Sequence, residues 1–222
     1  MKLAVFNGSP RRKASNSKIL MDQFLDGFRT ISSEQFEVHY LIDIKKSIDH
    51  LKVFSQADYV IFILPLYTDS MPGIVKYFFE MLDKQTFKPE KKLGFIVQSG
   101  FPETNHSIYL ERYLRRFTAR IQCQYLGTVI KGGVEGIQIK PPAWNRSLYN
   151  AFKNLGEYFA EYREFDPGIV KRLGKHHHFG LFRRFMFAFF GFFGLTNYYW
   201  NIRLKEHGAF SRRFDTPYNN HK

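Results

Sequence analysis

The stretch Leu3-Ala4-Val5-Phe6-Asn7-Gly8-Ser9-Pro10-Arg11, running on to Ser15-Asn16-Ser17, decides how the chain is read. Four apolar residues in a row make a short buried strand, which a Gly-Ser-Pro turn stops. A helical pattern then starts at Ser17. The first turn of a helix leaves backbone N–H groups without partners, and its dipole adds partial positive charge. A strand, a glycine-containing loop rich in hydroxyls and a helix start therefore form a candidate phosphate site. Gly8 is expected to supply a backbone angle that a Cβ would resist. Ser9, Ser15, Asn16 and Ser17 offer short polar side chains, and Arg11, Arg12 and Lys13 add charge beside them. The bland alternative is an ordinary strand-to-helix turn with a Ser or Asn cap.

Downstream, strands and helices alternate. Leu20, Met21, Phe24, Leu25 and Phe28 recur at helical spacing, and residues 36–41 alternate like a strand. A short helix over 48–54 leads to the apolar run 57–64, as expected of a central parallel strand covered on both faces. Ile74, Val75, Phe78, Phe79 and Leu82 mark the next helix, and residues 93–98 a fourth strand. A helix with Leu110, Leu114 and Phe117 inward, a fifth strand over 125–130 and a helix over 146–162 complete the series, with Asn145 as the last helix's expected cap. The pattern predicts an α/β fold, a doubly wound five-stranded parallel sheet of order 2-1-3-4-5. In such a sheet a ligand lies past the carboxyl ends of the strands, where the winding reverses. Here that point is beside the loops after residues 7, 64 and 98.

The second of these loops, residues 65–73, begins rigidly at Pro65 and carries the Tyr67 ring. The third, Ser99-Gly100-Phe101, offers a glycine and another ring. A phosphate pocket beside two loops bearing aromatic rings suits a flat heterocycle with a phosphate tail.

Gly8-Ser9-Pro10-Arg11 with Ser15-Asn16-Ser17, then Pro65-Leu66-Tyr67 with Met71-Pro72-Gly73, Lys76, Phe79 and Glu80, resembles the NAD(P)H-dependent FMN reductase family of flavodoxin-like fold. The resemblance covers residues 1 to about 130. It implies a non-covalent FMN whose phosphate sits on Ser9, Arg11, Ser15, Asn16 and Ser17. Its ring would lie against Pro65, Leu66 and Tyr67, with Ser99 and Gly100 on the other side. Backbone N–H groups from Thr68 to Ser70, or at Gly100, would stabilise the reduced ring. NAD(P)H is the implied co-substrate, with Arg12, Lys13 and Lys18 as candidates for its phosphates, and a small molecule or a protein is the acceptor. The resemblance also implies a homodimer with the helix after Met71-Pro72-Gly73 near its interface. No cysteine stands between Asn7 and Pro65, which excludes the iron–sulfur branch of these flavoproteins. A non-enzymatic module keeping the pocket for interaction is the alternative reading.

Composition fits this picture. The chain has 222 residues, 44% of them hydrophobic, with 25 Phe and 13 Tyr. One cysteine, Cys123, precludes a disulfide framework and points to a reducing, cytoplasmic setting; its apolar neighbours predict a buried, inert thiol. The opening residues are too short an apolar run for a signal peptide. The net charge of +13 favours anionic ligands or surfaces, but no nucleic-acid-binding signature accompanies it.

The alternating pattern stops near Asp166-Pro167-Gly168, which divides the chain into a flavodoxin-like domain, 1–165, and an aromatic, basic helical extension, 166–222. From Phe165 onward, 10 Lys and Arg face 3 Asp and Glu. Within 182–200, the run 185–193 behind Arg183-Arg184 is apolar on every side, yet shorter than the ~20 residues a membrane span needs. Burial by protein, in the dimer or over the flavin, is expected ahead of a place in a membrane surface. Phe210 to Tyr218 reads as an extended aromatic arm. His176-His177-His178 reads as a solvated basic turn, since consecutive residues of a helix point apart.

Overall fold

The computed structural model describes residues 1–175, 181–192 and 197–216. Two compact units are resolved, Met1–His177 and His178–Lys222. In the first, the strands are β1 (Leu3–Asn7), β2 (Phe36–Tyr40), β3 (Tyr59–Pro65), β4 (Lys92–Gln98) and β5 (Gln124–Lys131). They form one parallel sheet in the expected order β2-β1-β3-β4-β5. The helices are α1 (Asn16–Ile31), α2 (Ser47–Gln56), α3 (Gly73–Leu82), α4 (Ile108–Arg120), α5 (Pro142–Tyr162) and α6 (Pro167–Leu173).

Side chains of a strand alternate between faces, so the sheet carries two cores. On one, Phe6, Phe62 and Phe95 stand in register across β1, β3 and β4. Their rings stack with centroids 5.3 and 5.6 Å apart, and Phe54, Phe78 and Phe79 of α2 and α3 cover them. On the other, Val5, Ile61, Ile63 and Ile96 meet Phe24 and Phe28 of α1 and Phe152 and Phe159 of α5.

Two glycines that the periodicity did not single out set the α1–α5 distance. A Cβ on Gly27 would lie 1.9 Å from the Lys153 carbonyl oxygen, and one on Gly156 would lie 1.8 Å from that of Phe24. Glycine inside a helix costs about 0.5–1 kcal/mol against alanine. Close backbone contact offsets that cost here, and it holds α1, whose N-terminus carries the first loop.

The packed unit runs past residue 165. Phe165 is buried over Gly94, where a Cβ would meet its ring at 2.8 Å, and beside Gly127, which has φ +122°. Asp166 caps α6, accepting from the Ile169 amide at 2.7 Å, and Leu173 is buried in the second core. Asn145 is not a cap: α5 begins three residues earlier with Pro142 at its first position, because a proline needs no amide partner there. Asn145 is instead buried, donating to the Ile137 carbonyl at 2.9 Å.

In the second unit, α7 (Leu181–Phe192) and α8 (Tyr198–Glu206) are followed by a single 3-10 turn, Phe210–Arg212, where an extended arm was expected. The triple histidine and Tyr218 lie outside the described residues.

Candidate functional site

The order 2-1-3-4-5 reverses direction between β1 and β3, and the loops following β1, β3 and β4 meet the same edge of the sheet. The first loop folds on itself. Asn7 Oδ1 accepts from the Ser9 amide at 2.8 Å, and Ser9 Oγ accepts from the Arg11 amide at 3.3 Å. Ser15 is the N-cap of α1, its hydroxyl donating to Arg12 O at 2.6 Å and accepting from the Lys18 amide at 3.1 Å. That bond satisfies the third amide of the helix and leaves those of Asn16 and Ser17 as its open donors. Ser9, Ser15, Asn16 and Ser17 are all buried, whereas Arg11 is exposed. Asn7 Nδ2 is buried with no hydrogen-bond partner, a donor at the root of the loop.

Gly8 acts through space, not through its backbone angle, since its φ is not positive. A Cβ there would lie 2.5 Å from Val75 Cγ2 and 3.1 Å from Leu64 Cβ, so the glycine lets the loop pass directly under α3. The left-handed position of this loop belongs to Arg12, at φ +49°, whose guanidinium pairs with Asp43. Lys18 pairs with Asp22 at 2.5 Å. Two of the three cations offered to a nicotinamide cofactor, Arg12 and Lys18, are thus held by carboxylates.

Asn16 faces away from the helix end. Its Nδ2 donates to Val134 O at 3.0 Å, and its Oδ1 accepts from Gln138 Nε2 at 2.7 Å. Ser17 Oγ accepts from Gln98 Nε2 at 3.2 Å, joining the first loop to the end of β4. Val134 and Gln138 belong to the segment after β5, which sequence spacing did not connect with the site.

The second loop is a tight hairpin. Tyr67 and Ser70 exchange backbone hydrogen bonds of 2.8 and 3.0 Å, with Thr68 at φ +48° and Asp69 at φ +57° between them. Two positive φ values in a two-residue loop are those of a type I′ turn, and a β-branched residue there is strained. Such strain concentrates at functional sites. The turn occupies the Ser70 amide, so of the three amides of this loop proposed to face a ring those of Thr68 and Asp69 lie outside that exchange. Pro65 is buried, Leu66 is half-buried and bonded through its amide to Gln98 O at 2.8 Å, and the Tyr67 ring is exposed.

The third loop is braced from β5. The Ser99 amide donates to Lys131 O at 3.0 Å and its hydroxyl to Phe101 O at 3.1 Å. Gly100 packs on Glu135, whose Cβ would stand 3.3 Å from an added Cβ. Gly132 meets Phe101 and Pro102, where an added Cβ would lie 2.7 Å from both carbonyl oxygens. The exposed Phe101 ring lies 5.1 Å from the His106 ring, and His106 Nδ1 is 3.0 Å from Asp69 Oδ1. Asp69 therefore couples the second loop to the segment after the third.

Cys123 is buried away from these loops, and burial pushes its thiol up to about 11. A cleft of about 750 Å³ lies elsewhere in this unit, between α4 and α6, with Arg112, Arg115, Arg116, Lys171 and Lys175 among its walls.

None of the curated proteins matches the chain. Among solved structures, an FMN-dependent NADH-azoreductase from Bacillus anthracis in complex with FMN is similar at 17% identity and TM-score 0.55, over 72% of this chain and all of that one. A NAD(P)H:quinone oxidoreductase from Methanothermobacter marburgensis is similar at 13% identity and TM-score 0.56, over 80% of this chain and 99% of the other. The Trp repressor binding protein from Bacillus subtilis is similar at 19% identity and TM-score 0.53, over 69% and 96%. At these identities the likeness is one of fold. The family model described as flavodoxin-like fold matches residues 1–157, and the chain belongs to that family, Flavodoxin_2.

Proposed function

We propose that the chain is an FMN-dependent oxidoreductase that takes hydride from NAD(P)H and passes it to a small-molecule acceptor. The observation that carries the reading is the loop after β1. It combines the open amides of Asn16 and Ser17, the buried hydroxyls of Ser9 and Ser17 and the partnerless Asn7 Nδ2 beside one helix N-terminus. That donor set fits a phosphate monoester. The azoreductase and quinone oxidoreductase of the same fold support the same cofactor and co-substrate.

In this reading the amides of Asn16 and Ser17, the hydroxyls of Ser9 and Ser17 and the exposed Arg11 hold the phosphate. Ser15 caps the helix, and Asn16 positions the loop through Val134 and Gln138. Pro65, Leu66 and Tyr67 form an apolar wall for a ring, and Ser99 and Gly100 close the opposite side. The amides of Thr68, Asp69 and Gly100 present fixed dipoles to the edge where negative charge develops. Bound FMN supplies hydride acceptance and release, while the protein supplies orientation and electrostatics. Absorbance titration with FMN, followed by anaerobic addition of NADH and of NADPH, tests the reading. Saturable FMN binding with bleaching by either nicotinamide is expected. A folded protein that binds no FMN, or binds it without reduction by either, overturns the enzyme and leaves an interaction module. A homodimer through α3 belongs to the same proposal, and sedimentation velocity tests it.

A further inference from the structure

The described residues of the second unit form no core of their own. Among its described residues none is buried: Phe185, Phe190 and Phe192 of α7, Tyr198 and Trp200 of α8, and Phe214 are all exposed. Phe192 is 87% exposed and Phe214 81%. Aromatic side chains displayed at this density need a surface to cover them. Charge narrows what that surface is. Residues 178–222 hold seven Lys and Arg against two acids. Both acids are spoken for, Glu206 by Arg203 at 2.9 Å and Asp215 by Arg212 at 2.9 Å. A second copy of this unit would bring the same excess of positive charge against itself, whereas an anionic surface complements it. The described length of α7 is 12 residues, about 18 Å of helix against the ~30 Å of a bilayer core. Among the described residues no helix is long and apolar enough to cross a membrane. Phenylalanines on a short helix, Tyr and Trp on the next and cations alongside are the composition of a segment lying in the headgroup region.

We propose that the described helices of this unit, Leu181–Phe192 and Tyr198–Glu206, attach the protein to the surface of an anionic lipid bilayer, with Phe185, Phe189 and Phe190 in the headgroup–acyl boundary and Lys205, Arg212 and Arg213 against acidic headgroups. This proposal is the alternative to the expected burial by protein, and the test below separates the two. This inference stands apart from the flavin reading, because it uses no residue of the first unit.

The test is co-sedimentation of the full chain with phosphatidylcholine vesicles, with and without phosphatidylglycerol. Binding to the anionic vesicles is expected, weaker binding to the neutral ones, and loss of the difference as salt is raised. Phe185→Ser with Phe190→Ser lowers the partition coefficient by about tenfold or more, while far-ultraviolet circular dichroism and the FMN titration stay those of the parent. Arg112→Glu with Lys171→Glu, in the basic cleft of the first unit, leaves vesicle binding unchanged. Three results each overturn the proposal. One is no sedimentation with anionic vesicles. Another is binding that survives the phenylalanine substitutions but not the cleft substitutions. The third is a dimer, seen by sedimentation velocity, that those same phenylalanine substitutions dissociate without any vesicle binding by the parent.

Discussion

Asn16 Nδ2 donates to the Val134 carbonyl across 118 positions of sequence, so the start of α1, the proposed phosphate site, is pinned to the segment after β5. The same side chain accepts from Gln138 Nε2 at 2.7 Å. Asn16→Ala leaves a buried carbonyl and an amide group without partners, at a cost of about 1–3 kcal/mol. Urea denaturation should show that loss as a lower midpoint. Binding of FMN and of riboflavin should weaken by similar factors, because the loop is displaced and not stripped of a phosphate ligand. Loss confined to FMN would instead make Asn16 a direct phosphate contact.

Gly8 and Val75 make a second coupled pair. The methyl of Gly8→Ala falls 2.5 Å from Val75 Cγ2, so the loop or α3 must move, at about 1–3 kcal/mol for an overpacked site. A loop displaced near the phosphate should weaken FMN about ten- to a hundredfold. Val75→Ala removes the obstructing methyl groups. The double variant should therefore bind FMN more tightly than Gly8→Ala alone, with a favourable coupling of about 0.5–3 kcal/mol in a thermodynamic cycle. Additive losses would show that Gly8 serves the loop by some means other than its distance from α3.

The contrast between these residues explains what was legible beforehand. Strand order, both faces of the sheet and the helix stripes follow from periodicity, because a residue such as Phe62 or Phe152 declares its face by its spacing. The convergence of the three loops at one sheet edge was also legible, since the strand order fixes which strand ends lie side by side. Contacts made by absence were not. Gly27 and Gly156 read as weak points in helices, and only the backbone approach of α1 to α5 shows their purpose. Long-range polar partners such as Val134, Gln138 and Gln98 carry no local pattern. The left-handed turn at Thr68-Asp69 was hidden for another reason, because neither residue is the glycine or asparagine that such a turn favours.

His50 gives the last prediction. It sits on α2, 2% exposed, with its ring edge-on to Phe6 at 6.0 Å and to Phe78 at 6.2 Å. Its Nδ1 is buried without a partner. Burial, then the neighbouring His39 and more weakly Lys46, lowers its pKa from 6.5, against the opposing pull of Asp43 and Asp49. The unfolded chain takes up a proton at His50 near the ordinary value, while the folded chain takes it up only at lower pH. Between those two values the unfolded state binds more protons, so stability falls as pH falls, and above pH 6.5 this residue contributes no pH dependence. His50→Leu keeps an apolar side chain among the phenylalanines and removes the titrating group. Urea midpoints measured for both proteins from pH 8 downward should keep a constant difference above the ordinary histidine value, and below it the wild-type protein should lose stability faster. Parallel curves through the whole range would mean that His50 takes its proton in the folded state as readily as in the unfolded one, with the ring swinging out from Phe6 and Phe78 to do so.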